Sequence, residues 1–288
     1  MKKTAVMTDS NSGITPEEGE QAGIYILPMP VIIDGKTYYE NVDITEEQFY
    51  EKQASGFEVT SSQPSLEALL EMWTKLLEEY EEIVYIPMSS GLSGSCQSAA
   101  GFAGEFGGRV QVVDNCRISI TQLQSVYDAK KLADQGMSAA AIRGILEKEA
   151  LDATIYISVD TLEYLKKGGR VTPAAAALGT ILHIKPVMTI QGGKLDAYTK
   201  VRGTKAAFRA MCKALRHDLE TRLKTLHDSG ELNLGMAYTH LPPEEVAHWK
   251  EEMAKEFPGE TILTGHLMMS IGCHTGPGAL AMGAVRKK

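Results

Sequence analysis

Short apolar runs alternate with amphipathic stretches along the first half of the chain. Residues 4–7, 83–86 and 110–113 are mostly apolar and are typical of buried strands. Between the first two runs, residues 66–80 place leucines and a tryptophan at three- and four-residue spacing, which predicts an amphipathic helix. Strands that alternate with helices in this way predict a parallel sheet with helices on both of its faces.

Local signals set the starts and turns of further elements. The segments TPEE (15–18) and TEEQ (45–48) each place a threonine three residues before a glutamate or glutamine, which is the capping box of a helix start. The dipeptide Asp34-Gly35 within residues 30–39 favours a hairpin turn. Other helices are expected in three places: up to Ala103, at 123–133 and at 139–150.

After residue 150 the pattern changes to hairpins and longer helices. The glycine-rich segment 191–194 lies between two strand-like runs, 184–190 and 195–198, which predicts a β-hairpin. The remaining assignments are strands at 154–159, 234–239 and 261–264, helices at 205–226 and 243–256, a loop at 166–170 and a glycine-rich end. The sequence therefore predicts an α/β protein of two domains. Residues 1–155 would form a three-layer α/β/α domain with a parallel sheet, and residues 156–288 a two-layer domain with a mixed sheet.

Composition and charge exclude several classes of protein. A net charge of −8 argues against a broad nucleic-acid surface, because binding phosphates requires a basic patch. The basic run 286–288 is expected to be a solvated tail. The four cysteines are widely spaced and the histidines lack HExxH spacing, so we expect reduced thiols and no metal. No nucleotide-binding loop is present, so we expect no cofactor. No segment approaches the ~20 apolar residues of a membrane span, and we expect a cytoplasmic protein without stable membrane insertion.

Three turns concentrate hydroxyl groups, glycines and helix starts. They are residues 60–65 (TSSQPS), 89–95 (SSGLSGS) and 273–278 (CHTGPG). A helix start exposes unpaired N–H groups and the positive end of the helix dipole. Together with serine hydroxyls, such starts can bind an anion such as a carboxylate without lysine or arginine.

Two other interpretations of these turns stay open. Serines before helices are often ordinary N-caps. The segment 91–95 also approaches the G-x-S-x-G motif of serine hydrolases, although Ser95 replaces the last glycine. A hydrolase acting on acyl esters would use Ser93 as nucleophile, His274 as base and Asp9 or Asp114 as the acid.

At these residues the chain resembles the DegV family of fatty-acid-binding proteins, which includes the binding subunits of bacterial fatty acid kinase. The resemblance runs nearly end to end, and its segments occur in the family's order. They are TDS (8–10), SSQPS (61–65), IPMSSGLSGS (86–95), DTLEYLKKGGRV (160–171), IKP (184–186) and HTGPGA (274–279).

The resemblance implies that one long-chain fatty acid, of 14 to 18 carbons, lies in a tunnel between the two domains. Its carboxylate would be bound by Ser61, Ser62, Ser93 and Gly94, with Arg170, His274 and Thr275 beside it. Arg170 and Arg202 would face a separate kinase, which phosphorylates the bound carboxylate for phospholipid synthesis. The chain itself would then be a carrier without catalytic activity.

Overall fold

The computed structural model describes residues 2–177 and 184–288. The chain forms two α/β domains, each built around its own sheet, and a small third sheet in the first half. The predicted fold class is confirmed: the first sheet is parallel and the largest sheet is mixed.

Strands of the first domain follow the order β2-β1-β6-β7. Their bounds are β1 Lys2–Asp9, β2 Tyr25–Leu27, β6 Tyr80–Ile86 and β7 Val110–Val112. Apolar side chains on one face of this sheet pack against α3 (Leu66–Glu79) and α4 (Ser95–Ala103). Those on the other face pack against α1 (Pro16–Ala22), α5 (Ser119–Asp134) and α6 (Ala139–Lys148). Because both faces are covered, the strands are nearly continuous apolar runs, as the sequence indicated.

Both predicted capping boxes are present. Thr15 Oγ1 accepts a hydrogen bond from the N–H of Glu18 (3.2 Å), and the Glu18 carboxylate accepts one from the N–H of Thr15 (2.9 Å). Thr45 and Gln48 repeat this arrangement at the start of α2 (Glu46–Ala54). These bonds satisfy N–H groups that the first turn of a helix leaves without partners.

The third sheet positions one of the predicted site residues. Strands β3 (Pro30–Ile33) and β4 (Lys36–Tyr39) form the predicted hairpin, whose turn residues Asp34 and Gly35 both have positive φ. Strand β5 (Val59–Ser61) pairs with the other side of β3 and sets Ser61 opposite Val31. The hydroxyl-rich turn at residues 61–65 therefore begins at the edge of a fixed sheet.

The second domain contains a six-stranded mixed sheet in the order β10-β9-β8-β13-β11-β12. Its strands are β8 Ala153–Ser158, β9 Ile184–Ile190, β10 Asp196–Arg202, β11 Leu232–Tyr238, β12 Ile262–His266 and β13 Leu280–Arg286. One face is covered by α9 (Thr204–Glu220), α10 (Lys224–Asp228) and α11 (Pro243–Glu256). The other face is covered by α7 (Glu163–Gly168), α8 (Pro173–Ala176) and α12 (Met269–Thr275). This face also packs against residues of the first domain, among them Leu92 and Ile120.

Helix α5 joins the two domains. It packs against β1 of the parallel sheet and against β11, β12 and β13 of the mixed sheet. Ile120 on α5 lies so close to Gly235 on β11 that a Cβ at Gly235 would overlap the isoleucine side chain. The glycine therefore lets this helix approach the second sheet closely.

Two predicted elements of the second domain were wrong in part. A loop was expected at residues 166–170. Residues 166–168 instead form the last turn of α7, and the residue that follows the helix, Gly169, has φ +69°. Glycine tolerates this left-handed backbone, and two consecutive glycines had suggested a loop. The long helix expected at 205–226 stops at Glu220 and resumes at Lys224.

The C-terminal predictions also need correction. His274 lies in the last turn of α12 rather than in a loop, and the glycine-rich end contains β13, a central strand of the sheet. Arg286, expected in a solvated tail, forms ion pairs with Asp152 and Glu231, both at 3.0 Å. Lys288 pairs with Glu149. These acidic partners lie far away in sequence, so the sequence pattern could not reveal them.

Candidate functional site

A largely apolar cavity lies between the two domains and is lined by residues of both. The space between its lining residues amounts to about 820 Å³, its open mouth and the solvent there included. Most of its wall consists of aliphatic side chains: Met29, Met88, Leu92, Ile118, Ile120, Ile155, Ile157, Leu165, Ile190, Leu195, Ala237, Leu267, Ile271 and Ala281. A surface of this kind binds an apolar molecule, because burial removes the molecule's surface from water.

Hydroxyl-bearing residues from three separate segments line the same cavity. Ser61 ends β5 and Ser62 follows it, Ser93 lies in the loop between β6 and α4, and Thr275 ends α12. These residues are far apart in sequence, and the fold brings them to one cavity. Gly94, also a predicted site residue, is not among the described residues that line the cavity; it is the N-cap of α4.

The serine loop 89–95 is held against the second domain. Ser89 Oγ donates a hydrogen bond to the carbonyl oxygen of Gly192 in the β9–β10 turn (2.6 Å). A Cβ at Gly91 would overlap the same carbonyl oxygen, so only glycine allows this approach. Ser93 Oγ accepts a hydrogen bond from the N–H of Ser95 (3.2 Å) and lies 3.0 Å from Ser95 Oγ. Contact between the domains therefore fixes the position of Ser93.

Ser61 and His274 meet across the cavity, although 213 positions separate them in the chain. Ser61 Oγ lies 2.8 Å from His274 Nε2. Burial lowers the pKa of His274 to about 4, and the nearby Arg170 guanidinium adds to the shift. The imidazole is therefore neutral at pH 7. Together the two side chains form a polar pair that can exchange its own hydrogen bond for bonds to a ligand.

Gly168 makes room for this histidine. A Cβ at Gly168 would overlap Nδ1 of the His274 ring. The glycine lies at the end of α7, which packs against α12, so the two short helices set the orientation of the imidazole. Gly168 is one of the two glycines before Arg170 that had indicated a loop, and its lack of a side chain is needed for this contact.

A second, outer pocket adjoins the cavity at the same residues. It encloses about 910 Å³ including open solvent. Ser61, Arg170 and His274 line both spaces, and Phe57 and Lys167 line only the outer one. The Ser61–His274 pair therefore stands at the boundary between the apolar cavity and the outside. A polar group bound there could be reached from the outer pocket.

Arg170 and Arg202 lie at different places in the fold. Arg170 is half-buried and donates a hydrogen bond to the Gly168 carbonyl, and its own carbonyl accepts a bond from Leu195 beside β10 (3.0 Å). Arg202 is exposed at the far end of β10, about 20 Å of strand away, and is absent from the described cavity lining. The structure therefore brings only Arg170 to the cavity.

Four polar residues of the cavity wall were not predicted from the sequence: Gln63, which stands in the predicted turn 60–65, and Asn11, Ser119 and Ser270. Asn11 comes two residues after Asp9, which ends β1 and accepts bonds from the N–H groups of Asn11 (3.1 Å) and Met88 (2.9 Å). Burial raises the pKa of Asp9. Ligands of parallel sheets bind at the carboxyl ends of strands, so the polar turn after β1 was a usable signal. Ser119 and Ser270 carried no such signal.

The residues of a serine hydrolase are not assembled. His274 Nε2 is bonded to Ser61 rather than to Ser93, and the histidines that pair with a carboxylate within residues 2–177 and 184–288 are His227 and His266. Asp9 is bonded to Met88, Asn11 and Gln122 instead. A triad needs its base to contact both the nucleophile and the acid. The described part of the chain also shows no cluster of three or more potential metal ligands and no helix long and apolar enough to cross a membrane.

These features define a two-domain α/β protein with an apolar cavity that ends in neutral hydroxyl groups. A model of the DegV family matches residues 3–287, and the chain belongs to that family. A DegV domain-containing protein of Deinococcus radiodurans is 35% identical over 213 residues, which cover 74% of this chain and 76% of the relative.

Solved structures of the family have the same fold over the whole chain. A DegV family protein from Thermus thermophilus, described as binding fatty acid, is 33% identical with a TM-score of 0.86 and 99% coverage of both chains. DegV from Bacillus subtilis, described as a fatty acid binding protein, is 27% identical with a TM-score of 0.85 and full coverage of both chains. The resemblance seen in the sequence is therefore confirmed at the level of family and fold.

Proposed function

We propose that this protein binds one long-chain fatty acid of 14 to 18 carbons, with the acyl chain in the cavity and the carboxylate at its hydroxyl-rich end. The observation that carries this proposal is the single cavity that joins an aliphatic wall to the Ser61–His274 pair. The family likeness to described fatty-acid-binding proteins supports it. The walls of this cavity would come from two domains, residues 1–155 and residues 156–288.

The energetics favour recognition through the tail. Burying ~14–16 methylenes at ~0.8 kcal/mol each contributes roughly 11–13 kcal/mol before the costs of ordering the chain. Hydrogen bonds to the carboxylate then fix its register. Hydrogen bonds to the carboxylate can come from four hydroxyl groups, those of Ser61, Ser62, Ser93 and Thr275. The Arg170 guanidinium supplies the positive charge.

The protein would act as a cytoplasmic carrier without catalytic activity, and it would present the carboxylate to a separate fatty acid kinase. The outer pocket supports this part of the proposal, because it reaches the Ser61–His274 pair from outside while the acyl chain stays covered. A phosphoryl group that arrives there would meet Arg170, whose planar guanidinium suits phosphate oxygens.

Native mass spectrometry of the purified protein, followed by extraction, should reveal a fatty acid of 14 to 18 carbons at about one per chain. The expected ratio follows from the one apolar cavity, among the described residues, that opens to the hydroxyl groups. A protein purified without ligand should take up hexadecanoate or oleate from solution. The proposal is wrong if the protein holds no lipid and binds neither acid.

Arg202→Ala should separate binding from presentation. Arg202 lies about 20 Å along β10 from Leu195, whose N–H donates a hydrogen bond to the Arg170 carbonyl. Removing Arg202 should therefore leave the affinity for hexadecanoate within about twofold of the wild-type value. Formation of acyl phosphate with a cognate kinase and ATP should fall by about tenfold, because rim charges chiefly affect association. Arg222→Ala, which removes an exposed arginine of the same domain, is the control. Equal kinase rates for Arg202→Ala and the wild type would remove Arg202 from the docking surface.

A further inference from the structure

A second polar group of residues lines the cavity beside those assigned to the head group. Asn11, Ser119 and Ser270 line the cavity but not the outer pocket, as Ser62, Ser93 and Thr275 also do. They are buried, with exposed fractions of 1%, 3% and 4%. An unsubstituted acyl chain has no group that could form hydrogen bonds with them.

Two atoms of this group have unused hydrogen-bonding capacity. Asn11 Nδ2 and Ser119 Oγ are buried and form no hydrogen bond within residues 2–177 and 184–288. The Asn11 amide is close enough to Asp9 to offset part of the rise in pKa that burial causes in that carboxyl group, although the two are not in hydrogen-bonding geometry. Buried polar groups are nearly always hydrogen-bonded, because leaving one without a partner is costly. The unpaired atoms therefore indicate that something else supplies a partner.

Ser119 has an unusual backbone conformation as well. Its φ is +54°, in the left-handed region that residues other than glycine rarely adopt. Such strained positions cluster at functional sites, where the surrounding structure holds them in place. Here the first residue of α5 carries a hydroxyl group in the wall of an apolar cavity.

The three residues belong to one part of the wall. Ser270 Oγ donates a hydrogen bond to Asn11 Oδ1 (2.9 Å), and the N–H of Ser270 is bonded to Glu40 (2.9 Å). Gln122, one turn after Ser119 on α5, donates to the Asp9 oxygen that also accepts from the N–H of Asn11. These bonds hold the start of α5, the Asn11 turn and the start of α12 together.

The charges around this group select against a second anion. The ionisable residues bonded to it are the buried acids Asp9 and Glu40. Burial raises the pKa of both acids, that of Glu40 to about 7. Their ionised forms would repel a carboxylate on the ligand, whereas a neutral oxygen would meet no such repulsion. Asn11 Nδ2 can donate to such an oxygen, and Ser119 Oγ can donate or accept. A hydroxyl group on the ligand can accept a hydrogen bond from Asn11 Nδ2 and can also form one with Ser119 Oγ.

We propose that Asn11, Ser119 and Ser270 form a second binding site inside the cavity, which accepts a hydroxyl substituent on the acyl chain, so that hydroxy fatty acids are among the ligands. This inference rests on the proposed function, since it assumes that the carboxylate lies at Ser61 and His274. Ser270 precedes His274 by one helical turn, about 6 Å. With C–C bonds of about 1.5 Å, the hydroxyl would lie roughly four to six bonds from the carboxyl carbon.

Binding of a positional series tests the proposal. Dissociation constants would be measured for hexadecanoate and for hexadecanoates with a hydroxyl at carbon 3, 6, 9 or 12. We expect the acid hydroxylated near carbon 6 to bind at least as tightly as hexadecanoate, and the others to bind about tenfold more weakly, because their hydroxyl is buried without a partner. Uniform weakening of all four, or equal binding of all four, would overturn the inference.

Variants assign the preference to the named residues. Ser119→Gly removes the hydroxyl and tolerates the positive φ, so the preference for the favoured hydroxy acid over hexadecanoate should fall about tenfold. Cys116→Gly is the matched control, since Cys116 has φ +56° three residues earlier, in the loop that leads into α5, and does not line the described cavity; its ratio should equal that of the wild type. Asn11→Ala, in which Ser270 Oγ keeps its bond to Glu40, should also lower the preference. A preference that persists in both Ser119→Gly and Asn11→Ala contradicts the assignment.

Hexadecanoate binding by the wild type tests the proposed function separately. A protein that binds hexadecanoate but rejects every hydroxy acid refutes only this inference. A protein that binds neither class refutes both.

Discussion

Replacing Ala281 with leucine should weaken hexadecanoate binding by roughly 50-fold and at the same time stabilise the ligand-free protein. Ala281 lies on β13 in the cavity wall and pairs with Ala237 on β11, so two small side chains leave space over the centre of the sheet. Leucine would take the space of about three methylenes, each contributing ~0.8 kcal/mol to binding. Filling the cavity should add about 0.5–2 kcal/mol to the free energy of unfolding. Calorimetry with and without ligand measures both effects.

Ala284→Leu is the matched control for this prediction. Ala284 lies three residues further along the same strand, on the opposite face, and is fully buried in the core beneath α9 and α11. A leucine there should cost about 1–3 kcal/mol of stability, because that core is already filled. If Ala281→Leu is as destabilising as Ala284→Leu and keeps its affinity for hexadecanoate, Ala281 does not border the acyl chain.

Gly168→Ala should weaken fatty-acid binding by about tenfold to hundredfold without unfolding the protein. The new methyl group would displace the His274 ring, since the Cβ overlaps Nδ1. The Ser61–His274 pair would separate, and the charged carboxylate of the ligand would lose one hydrogen bond, which contributes about 1.5–3 kcal/mol when one partner is charged. Titration with a fluorescent fatty acid, together with thermal unfolding, separates affinity from stability.

Gly169→Ala is the control, because it makes the same chemical change one residue later. Gly169 has φ +69°, and apart from its chain neighbours no heavy atom of the described residues lies within 4 Å of the position that a Cβ would take there. Alanine at this position should lower stability by about 1 kcal/mol through backbone strain and leave the His274 ring in place. Equal losses of affinity in Gly168→Ala and Gly169→Ala would show that α7, rather than the space beside His274, decides binding.

Much of the fold could be predicted from the sequence, because the decisive signals were local. The capping boxes at Thr15 and Thr45, the Asp34-Gly35 turn and the leucine spacing of α3 each depend on neighbours a few residues away. The three serine- and glycine-rich turns likewise identified Ser61, Ser93 and Thr275, which all line one cavity.

Other features depend on contacts between distant segments. β13 contains alanine and glycine because β8 and β11 pack closely on both sides of it: a Cβ at Gly283 would overlap the Thr154 carbonyl oxygen. Such a run carries little strand propensity of its own. The ion pairs of Arg286 also join distant segments, since its partners Asp152 and Glu231 lie 134 and 55 positions away in the chain.

By itself, the sequence determined the class of fold, the family and the turns that reach the cavity, because periodicity, capping and turn chemistry act over a few residues. Only the tertiary structure decided which side chains meet there. It paired Ser61 with His274, left Arg202 at the far end of β10, and buried Asn11 and Ser119 with polar atoms that have no partner among the described residues. The physical reason is that burial, the loss of solvation and hydrogen-bond partnership arise between segments that the chain brings together only when it folds.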